Sequence, residues 1–230
     1  MMNDLLVRAC KRLLPAGLVK RLSTNASVAA AHVEHQRLER FDFSLTPRHV
    51  ANTRVYSSRH ELLGTFSKGA VIAEAGVSQG QYSRAILEVC QPQKLHLIDI
   101  WQSNKARYDE EAYQLVLKTF ASQIGSGTVV VHRDYSHKVF AAFPDNYLDY
   151  VYLDADHSYD AVKLELETVK QKMKPDGVIA GHDYVKWSNQ SSRFGVVEAV
   201  NEFCLNHDFE LIGLTVQRNM HLSFAIRKFR

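Results

Sequence analysis

The sequence predicts an α/β protein built on a mostly parallel sheet, with helices on both faces of the sheet. From position 61 onward, short apolar runs alternate with longer helical stretches. Strands that alternate with helices form βαβ units, whose right-handed crossovers place the strands parallel. The last two apolar runs are separated by residues 217–220 alone, which is too short for a crossover. These two runs are therefore predicted to pair as a C-terminal antiparallel hairpin.

Seven strands follow from this pattern, each a short apolar run. The predicted strands are 70–75, 94–101, 129–132, 148–154, 177–180, 209–216 and 221–227. The predicted helices are one that ends within 61–66, one that begins after Gly80 and includes Leu87, and then 109–124, 138–143, 161–173 and 196–206. A turn at Pro175-Asp176-Gly177 is predicted to introduce the fifth strand.

Residues 1–45 are predicted to form an N-terminal helical extension of a domain at 46–230. Five apolar residues of its first segment fall on one helical face, beside basic residues. The apolar residues are Leu5, Leu6, Ala9, Leu13 and Leu14, and the basic ones are Arg8, Lys11 and Arg12. A basic amphipathic helix is typical of a segment that lies on a membrane surface or docks on a partner. Packing of residues 1–24 on their own domain, or on the second subunit of a homodimer, is the plainer alternative, and both stay open.

Composition excludes several classes of protein. The 230 residues are 46% hydrophobic, which is enough for one domain with a full core. The net charge of +3 comes without a lysine–arginine run suited to a nucleic-acid backbone. Three widely spaced cysteines argue against a disulfide framework or a zinc cluster. Neither a membrane-spanning run nor a signal-peptide core is found. The sequence therefore predicts a cytoplasmic protein without a nucleic-acid partner.

A loop with two glycines follows the first predicted strand and leads into a helix. It reads Glu74-Ala75-Gly76-Val77-Ser78-Gln79-Gly80. Glycine lets a ligand lie against the backbone, and the start of the next helix offers free N–H groups. A dinucleotide loop would carry G-x-G-x-x-G, and a phosphate loop would carry a lysine after its last glycine. This loop has an acid in the first place and Gln81 after Gly80, which suits a ligand that carries an amine.

The pattern E-x-G-x-x-x-G resembles the first motif of the class I S-adenosylmethionine-dependent methyltransferases. The resemblance implies a Rossmann-like fold whose parallel sheet is closed by one antiparallel hairpin, in agreement with the strand pattern. It also implies that the loop wraps the methionine end of S-adenosyl-L-methionine. The loop residues so assigned to cofactor binding are Glu74, Gly76, Ser78, Gly80 and Tyr82. An ordinary strand–turn–helix with chance glycines is the alternative, and the strand pattern counts against it.

Two further strand ends carry polar residues that the resemblance assigns to the same cofactor. Asp99 lies roughly twenty residues past the loop, where an acid accepts the ribose hydroxyls of an adenosine. Trp101 is placed to pack on the cofactor or on the substrate. At the end of the third strand, Asp134 and Ser136 match positions where the family contacts the adenine. Helix capping is the alternative for Asp99 and for Ser136.

The densest set of ionisable residues follows the fourth and fifth strands. Asp154, Asp156 and His157 follow the fourth strand, and His182 and Asp183 follow the fifth. Strand alternation points the first two acids to the same side, and adjacent strands would bring both groups to one edge. Ionisable groups held together are costly unless they bind a cation or move protons. The alternative is that one or two of the acids are helix caps.

Together, D-x-D-H-S-Y and G-H-D-Y resemble methyltransferase family 24 within class I, and the metal-dependent O-methyltransferases of the catechol and macrocin types. By position, the resemblance implies that Asp154 borders the cofactor and that Asp154, His182 and Asp183 hold a metal. His182 departs from the usual carboxylate, which leaves open magnesium, a softer divalent cation, or a metal-free base. His157 occupies the place of the general-base lysine of the catechol type, and Asp156 that of the base of the macrocin type.

The sequence thus predicts an S-adenosylmethionine-dependent O-methyltransferase that acts on a hydroxyl of a small molecule or a sugar-containing metabolite. In-line transfer requires that donor and acceptor be held in a near-attack geometry. The hydroxyl must also lose its proton, to His157 first, Asp156 second, or to His182 as a base without metal. Two alternatives stay open. One is N-methylation, which does not require such a cluster, and the other is a non-catalytic module that binds S-adenosylmethionine.

Overall fold

The chain folds into ten strands and nine helices within residues 16–102, 106–189 and 192–230, which the computed structural model describes. The strands are β1 (Arg54–Tyr56), β2 (Val71–Ala75), β3 (Lys94–Ile98), β4 (Val129–His132), β5 (Leu148–Leu153), β6 (Met173–Gly181), β7 (Trp187–Asn189), β8 (Ser192–Arg193), β9 (Phe209–Thr215) and β10 (Phe224–Lys228). The α-helices are α1 (Ala16–Leu38), α2 (Pro47–Val50), α3 (Arg59–Leu63), α4 (Gln81–Cys90), α5 (Ala106–Thr119), α6 (Ala121–Gly125), α7 (Ser136–Ala142), α8 (Tyr159–Val169) and α9 (Val196–His207), and a 3₁₀ turn spans Lys170–Lys172.

An eight-stranded sheet has the order β1-β9-β10-β6-β5-β2-β3-β4. Strands β2 to β6 pair parallel with one another, and β10 runs antiparallel to both β6 and β9. The predicted α/β fold with a C-terminal antiparallel hairpin is therefore confirmed. The seven predicted strands correspond to β2–β6, β9 and β10. The eighth strand, β1, pairs parallel with β9 and was not predicted, because its three residues are mostly exposed and form no apolar run.

The predicted turn at 175–177 lies inside β6, which begins earlier than expected. Met173 pairs with Leu148 of β5, whereas Val178 pairs with Tyr150, so the register shifts between the two pairs. The additional residues of β6 bulge outward, and Pro175 is exposed. A proline that cannot donate to the ladder is accommodated at such a bulge, which explains why turn residues here do not end the strand.

The single helix predicted for 109–124 is divided at Phe120 into α5 and α6. Phe120 leaves the helical conformation, with φ −104° and ψ 18°. Its ring is 2% exposed and lies so close to Gly80 that a Cβ added there would be 2.7 Å from Cε2 of the ring. Burial of this ring against the glycine loop accompanies the break in the helix.

The central strand β2 is buried along its whole length. Ile72 packs with Ile86 of α4 and Val116 of α5 in the main apolar cluster. A run that is apolar except for Glu74 is typical of a parallel strand that is covered on both faces. Pairing places Ala75 opposite Ile98 of β3 and Leu153 of β5, so the loops that follow these strands lie side by side at one edge.

Contacts divide the chain into two compact units, of which one holds the residues up to Asp42 with Lys186–Phe194 and the other holds Phe43–Val185 with Gly195–Arg230. The basic amphipathic segment at 1–15, with Cys10, lies outside the described residues. Within the described ranges, no helix is both long enough and apolar enough to cross a bilayer.

The smaller unit consists of α1 and the antiparallel pair β7–β8. Its contacts centre on Trp187, whose ring meets the rings of His32 and His35 edge-on at 5.8 and 5.3 Å between centroids. Lys186 forms a 2.9 Å ion pair with Glu39. Because aromatic edge contacts contribute beyond simple area burial, the ring of Trp187 helps to hold α1 against β7.

Gly76, the first residue after β2, brings the end of that strand into contact with β5. Its φ is +90°, and a Cβ built on it would lie 2.0 Å from the carbonyl oxygen of Asp154. Its N–H donates to the carbonyl of Ile98 at 2.9 Å, and the N–H of Asp154 donates to Ala75 at 2.8 Å. The loop is therefore fixed between β3 and β5, and a side chain at position 76 has no room.

We expect Gly76→Ala to lower the free energy of unfolding by about 3 kcal/mol or more, because backbone strain adds to a steric clash. Gly127→Ala is the matched control, since Gly127 has a φ of +76° but nothing within 4 Å of an added Cβ. Strain alone should cost the control about 1 kcal/mol. Urea unfolding measures both losses. Equal losses would show that the contact with Asp154 is not what requires glycine.

Candidate active site

Asp99, at the end of β3, holds the glycine loop through its carboxylate. One oxygen, Oδ2, accepts the backbone N–H groups of Val77 and Ser78 at 3.0 and 2.9 Å. The other, Oδ1, accepts the N–H of Trp101 at 2.7 Å. Gly80 closes the loop by donating its N–H to Val77 at 2.9 Å. The predicted cofactor acid is therefore also the group that fixes the conformation of the loop.

Three of the predicted cofactor residues lie beneath the loop and support it. Glu74 is 1% exposed, accepts the Ser83 hydroxyl at 2.5 Å, and has its pKa raised to about 8 by burial, against the effect of that hydrogen bond. Trp101 is 3% exposed and donates its indole N–H to the carbonyl of Ser78 at 2.9 Å. Tyr82 is buried as well. In the ligand-free protein, these three side chains bond or pack within the protein.

A cavity of about 500 Å³ opens beside the loop at the carboxyl edge of the sheet. The predicted site residues that line it are Gly76, Ser78, Asp99, Asp134, Ser136, Asp154 and Asp156. The rest of the wall is formed by Ile98, Ile100, Tyr135, His137, Ala155, Ala161, Leu164 and Glu165. Five carboxyl groups in this wall fit a ligand with cationic and hydrogen-bond-donating groups. S-adenosylmethionine brings such groups as its sulfonium, its amines and its ribose hydroxyls.

At the end of β4, Asp134 and Ser136 differ in what they offer to a ligand. The Asp134 carboxylate is exposed, accepts the N–H of Tyr135 at 2.7 Å and lies 3.4 Å from the ammonium of Lys138. Ser136 is half-buried, and its hydroxyl donates to Oε1 of Glu165, which comes from α8. Ser136 therefore joins two helices at the wall of the cavity, while Asp134 stays at the surface.

Glu165 is a site residue that the sequence reasoning missed. It is 4% exposed, and burial raises the pKa of its carboxyl to about 7, against the hydrogen bond from Ser136. A signal was present, because Val162, Glu165, Leu166 and Val169 follow the i, i+3, i+4, i+7 spacing of a buried helical stripe. A buried acid on such a stripe is costly, which makes it a candidate site residue.

Three ionisable side chains meet at the ends of β5 and β6. Nε2 of His157 lies 2.7 Å from Oδ2 of Asp183 and 3.7 Å from Oδ1 of Asp154. On its other side, Oδ1 of Asp183 lies 2.5 Å from Nδ1 of His221. Asp183 is 8% exposed and has a φ of +56°. Strained backbone of this kind is frequent at functional sites.

The charges of this cluster are mutually dependent. Burial disfavours the imidazolium of His157, but hydrogen bonds and ion pairing with Asp154 and Asp183 outweigh it and raise the pKa of His157 to about 10. Burial likewise disfavours the Asp183 carboxylate, yet hydrogen bonds from His157 and His221 lower its pKa to about 2. In the ligand-free protein, His157 is therefore protonated at neutral pH and cannot accept a proton.

His182 lies next to this cluster and has a different environment. Its Nδ1 lies 2.9 Å from the hydroxyl of Ser223, which is itself 3.2 Å from the hydroxyl of Tyr152. Its Nε2 is 3.9 Å from Oδ1 of Asp183. Burial lowers the pKa of His182, and the nearby carboxylates only partly oppose the effect. His182 is therefore a neutral imidazole at pH 7.

The ligand atoms of Asp154, His157 and Asp183 all lie within 4.8 Å of one another, close enough to bind one cation. Two carboxylates and one imidazole fit a divalent ion that accepts both oxygen and nitrogen, and suit magnesium less well. The set predicted from sequence had His182 in the place of His157. Nδ1 of His182 lies against the hydroxyl of Ser223, and His182 is not part of this closely spaced set.

His221 and Ser223 were not identified from the sequence. They precede β10, whose antiparallel pairing places Phe224 opposite Gly181 at the end of β6. This pairing brings both residues to the carboxyl edge although they come from the C-terminal hairpin. No motif marks them, and only the register of the hairpin could have located them.

Comparisons with known proteins agree with this geometry. A family model described as a methyltransferase domain, of the family 24 type, matches residues 73–184. This match begins in β2 and ends one residue after Asp183, so it includes the glycine loop, Asp99 and the ionisable cluster. No match was found among curated proteins.

Solved structures share the fold at low sequence identity. The chain is similar to a putative rRNA methylase from Clostridium thermocellum (16% identity, TM-score 0.56, covering 75% of this chain and 94% of that one). It is similar to a putative type 11 methyltransferase from Sulfolobus solfataricus (22%, TM-score 0.52, 71% and 86%), and to a methyltransferase from Aquifex aeolicus described as dependent on S-adenosylmethionine (15%, TM-score 0.53, 83% and 96%). Identities this low support the fold and say nothing of the acceptor.

The matched segment contains the glycine loop, the strand-end acid that holds it and the acidic cavity beside them, on a sheet with the strand order and the closing hairpin expected of one class of enzyme. Residues 73–184 match a methyltransferase domain of the family 24 type, on a fold shared with S-adenosylmethionine-dependent methyltransferases.

Proposed function

We propose that the protein transfers the methyl group of S-adenosylmethionine to a hydroxyl oxygen of a small molecule. The observation that carries the proposal is Asp154, which lines the cofactor cavity and also belongs to the ionisable cluster with His157 and Asp183. A cluster that can hold a cation and move a proton therefore adjoins the place of the methyl donor. A hydroxyl acceptor needs such a cluster because it must lose its proton, whereas a neutral amine does not.

The geometry favours a division of roles different from the one drawn from the resemblance. We assign Asp154, His157 and Asp183 to a divalent cation, which when bound would lower the pKa of an acceptor hydroxyl. We assign His182 to the acceptance of the proton, because it is the neutral imidazole of the group and its Nε2 lies near Asp183. Asp156 is the alternative base. Its Oδ1 accepts the N–H of Ser158 at 2.7 Å, which also suits a helix cap.

Asp99→Asn should weaken binding of S-adenosylmethionine by about 10-fold or more, because a carboxamide accepts fewer of the N–H groups that fix the loop and weakens any hydrogen bond to the cofactor. Asp183→Asn should leave binding within about threefold, because the Asp183 side chain is not in the cavity wall, and should lower turnover at least about 100-fold. Calorimetry measures the first effect. Release of S-adenosylhomocysteine, with catechols, phenols and glycosides as acceptors, measures the second.

Transcribed tRNA and rRNA fragments are tested in the same assay as alternative methyl acceptors. Turnover on these RNAs, with none on the hydroxylated small molecules, would overturn the small-molecule proposal. Wild-type protein that does not bind S-adenosylmethionine would contradict the cofactor assignment.

The choice of base is tested by His182→Gln and Asp156→Asn. We expect His182→Gln to lower kcat about 100-fold or more, since general-base catalysis contributes on that scale. Asp156→Asn should lower kcat less than about threefold, because an asparagine keeps the cap to Ser158. The turnover of the wild-type protein should fall as the pH drops below the ordinary histidine range, through the lowered pKa of His182. The opposite order of the two variants would assign the base to Asp156.

The cation site is tested by calorimetric titration of the chelator-treated protein with Mn²⁺. His157 must lose a proton to become a ligand, and its pKa is about 10, so affinity should rise about tenfold per pH unit between pH 6.5 and 8.5. His157→Gln should remove most of this slope, and Asp183→Asn should abolish binding. His182→Gln is the control, which should keep both the binding of Mn²⁺ and its dependence on pH. A loss of binding in His182→Gln, with His157→Gln unaffected, would restore the set predicted from sequence.

A further inference from the structure

The Ser136–Glu165 pair lies in a part of the cavity wall that differs from the rest. Tyr135 and Leu164 beside it are large side chains that are nevertheless 50% and 47% exposed. Both line the cavity, together with Ala161. Exposed apolar surface in a concave wall is the surface that a flat ring would cover. The nearby polar groups then decide which ring is accepted.

The hydrogen bond between the pair fixes what Ser136 can offer. Above the Glu165 pKa of about 7, the carboxylate is ionised and can only accept, so the single proton of the Ser136 hydroxyl is directed to Oε1 of Glu165. Ser136 lines the cavity, and its oxygen therefore presents only lone pairs to a ligand. The second carboxylate oxygen, Oε2, is buried and has no hydrogen-bond partner within the described part of the chain. The hydrogen bond of Oε1 joins two helices, but it does not account for the burial of the unpartnered Oε2.

We propose that Glu165 is a positioning residue which sets Ser136 as an acceptor for the 6-amino group of the adenine of the methyl donor, and so selects adenine against a 6-oxo purine. The inference rests on the proposed function, because it concerns recognition of the donor in the same site. It differs from the assignment by resemblance, which gave the amine to Asp134. That carboxylate is exposed and already bonded to Tyr135 and Lys138.

The test compares S-adenosyl-L-homocysteine with S-inosyl-L-homocysteine, in which a carbonyl replaces the 6-amino group and N1 carries a proton. Calorimetry is done at pH 8.5, above the pKa of about 7 of Glu165, so that its carboxylate is ionised. We expect the wild-type protein to prefer the adenosyl ligand at least about 10-fold. The 6-carbonyl of the inosyl ligand would face the Ser136 oxygen, and neither acceptor would have a hydrogen-bond donor. In Glu165→Gln, the side-chain amide can donate to Ser136, whose hydroxyl is then free to donate to a carbonyl. The preference should fall below about threefold, chiefly by tighter binding of the inosyl ligand.

Glu167→Gln is the matched control, because Glu167 lies on the same helix but is bonded to Lys170 and His207. It should keep the wild-type ratio. Ser136→Ala removes the acceptor itself and should also abolish the preference, which keeps the proposal testable if Glu165→Gln does not fold.

The outcomes separate this proposal from the cofactor assignment. If Glu165→Gln and Ser136→Ala both keep the wild-type preference for the adenosyl ligand, the role of Glu165 is overturned while the cofactor assignment stands. If only Asp134→Asn loses the preference, Asp134 is the acceptor for the 6-amino group. Failure of the wild-type protein to bind either ligand would contradict the cofactor assignment, and this inference with it.

Discussion

The close contact between Gly76 and the backbone of Asp154 is the constraint on which the site depends. It joins the ends of β2 and β5 so closely that no side chain fits between them. Asp154 is thereby held at the boundary between the cofactor cavity and the ionisable cluster. Methyl transfer depends on holding two reactants within a fraction of an ångström of a productive arrangement. A backbone contact between two buried parallel strands provides that rigidity better than a contact between side chains.

The free-energy cost of burying charged side chains at the carboxyl edge of the sheet is offset by pairing between acids and histidines. Asp183 lies between His157 and His221, and each histidine is within hydrogen-bonding distance of one carboxylate oxygen. A buried carboxylate without such partners would be strongly destabilising. In the ligand-free protein, the proton on His157 offsets one of the two negative charges of Asp154 and Asp183. The cluster is therefore partly compensated without any ligand.

The fold could be predicted because strands of a covered parallel sheet are apolar runs, and because 217–220 is too short for a crossover. The residues at the strand ends could be predicted too, since parallel strands end at one edge. The directions of their side chains could not. Ser78 and Trp101 have positive φ, which turns the indole of Trp101 under the loop. The surroundings of His182 depend on Ser223, which a distant hairpin provides. Glu165 differs from these cases, because its place on a buried helical stripe is visible in the sequence.

The charge of the site bears on the acceptor as well as on the cofactor. Acidic side chains line the cavity, and Asp183 adds another at its edge. Lys138, a cation at the rim, already faces Asp134. A phosphate backbone that approached this edge would meet carboxylates at short range, where like charges repel most strongly. A neutral hydroxylated molecule would instead bring donors to groups that accept. The charge of this edge is consistent with the small hydroxylated acceptor proposed above, whichever residue removes the proton.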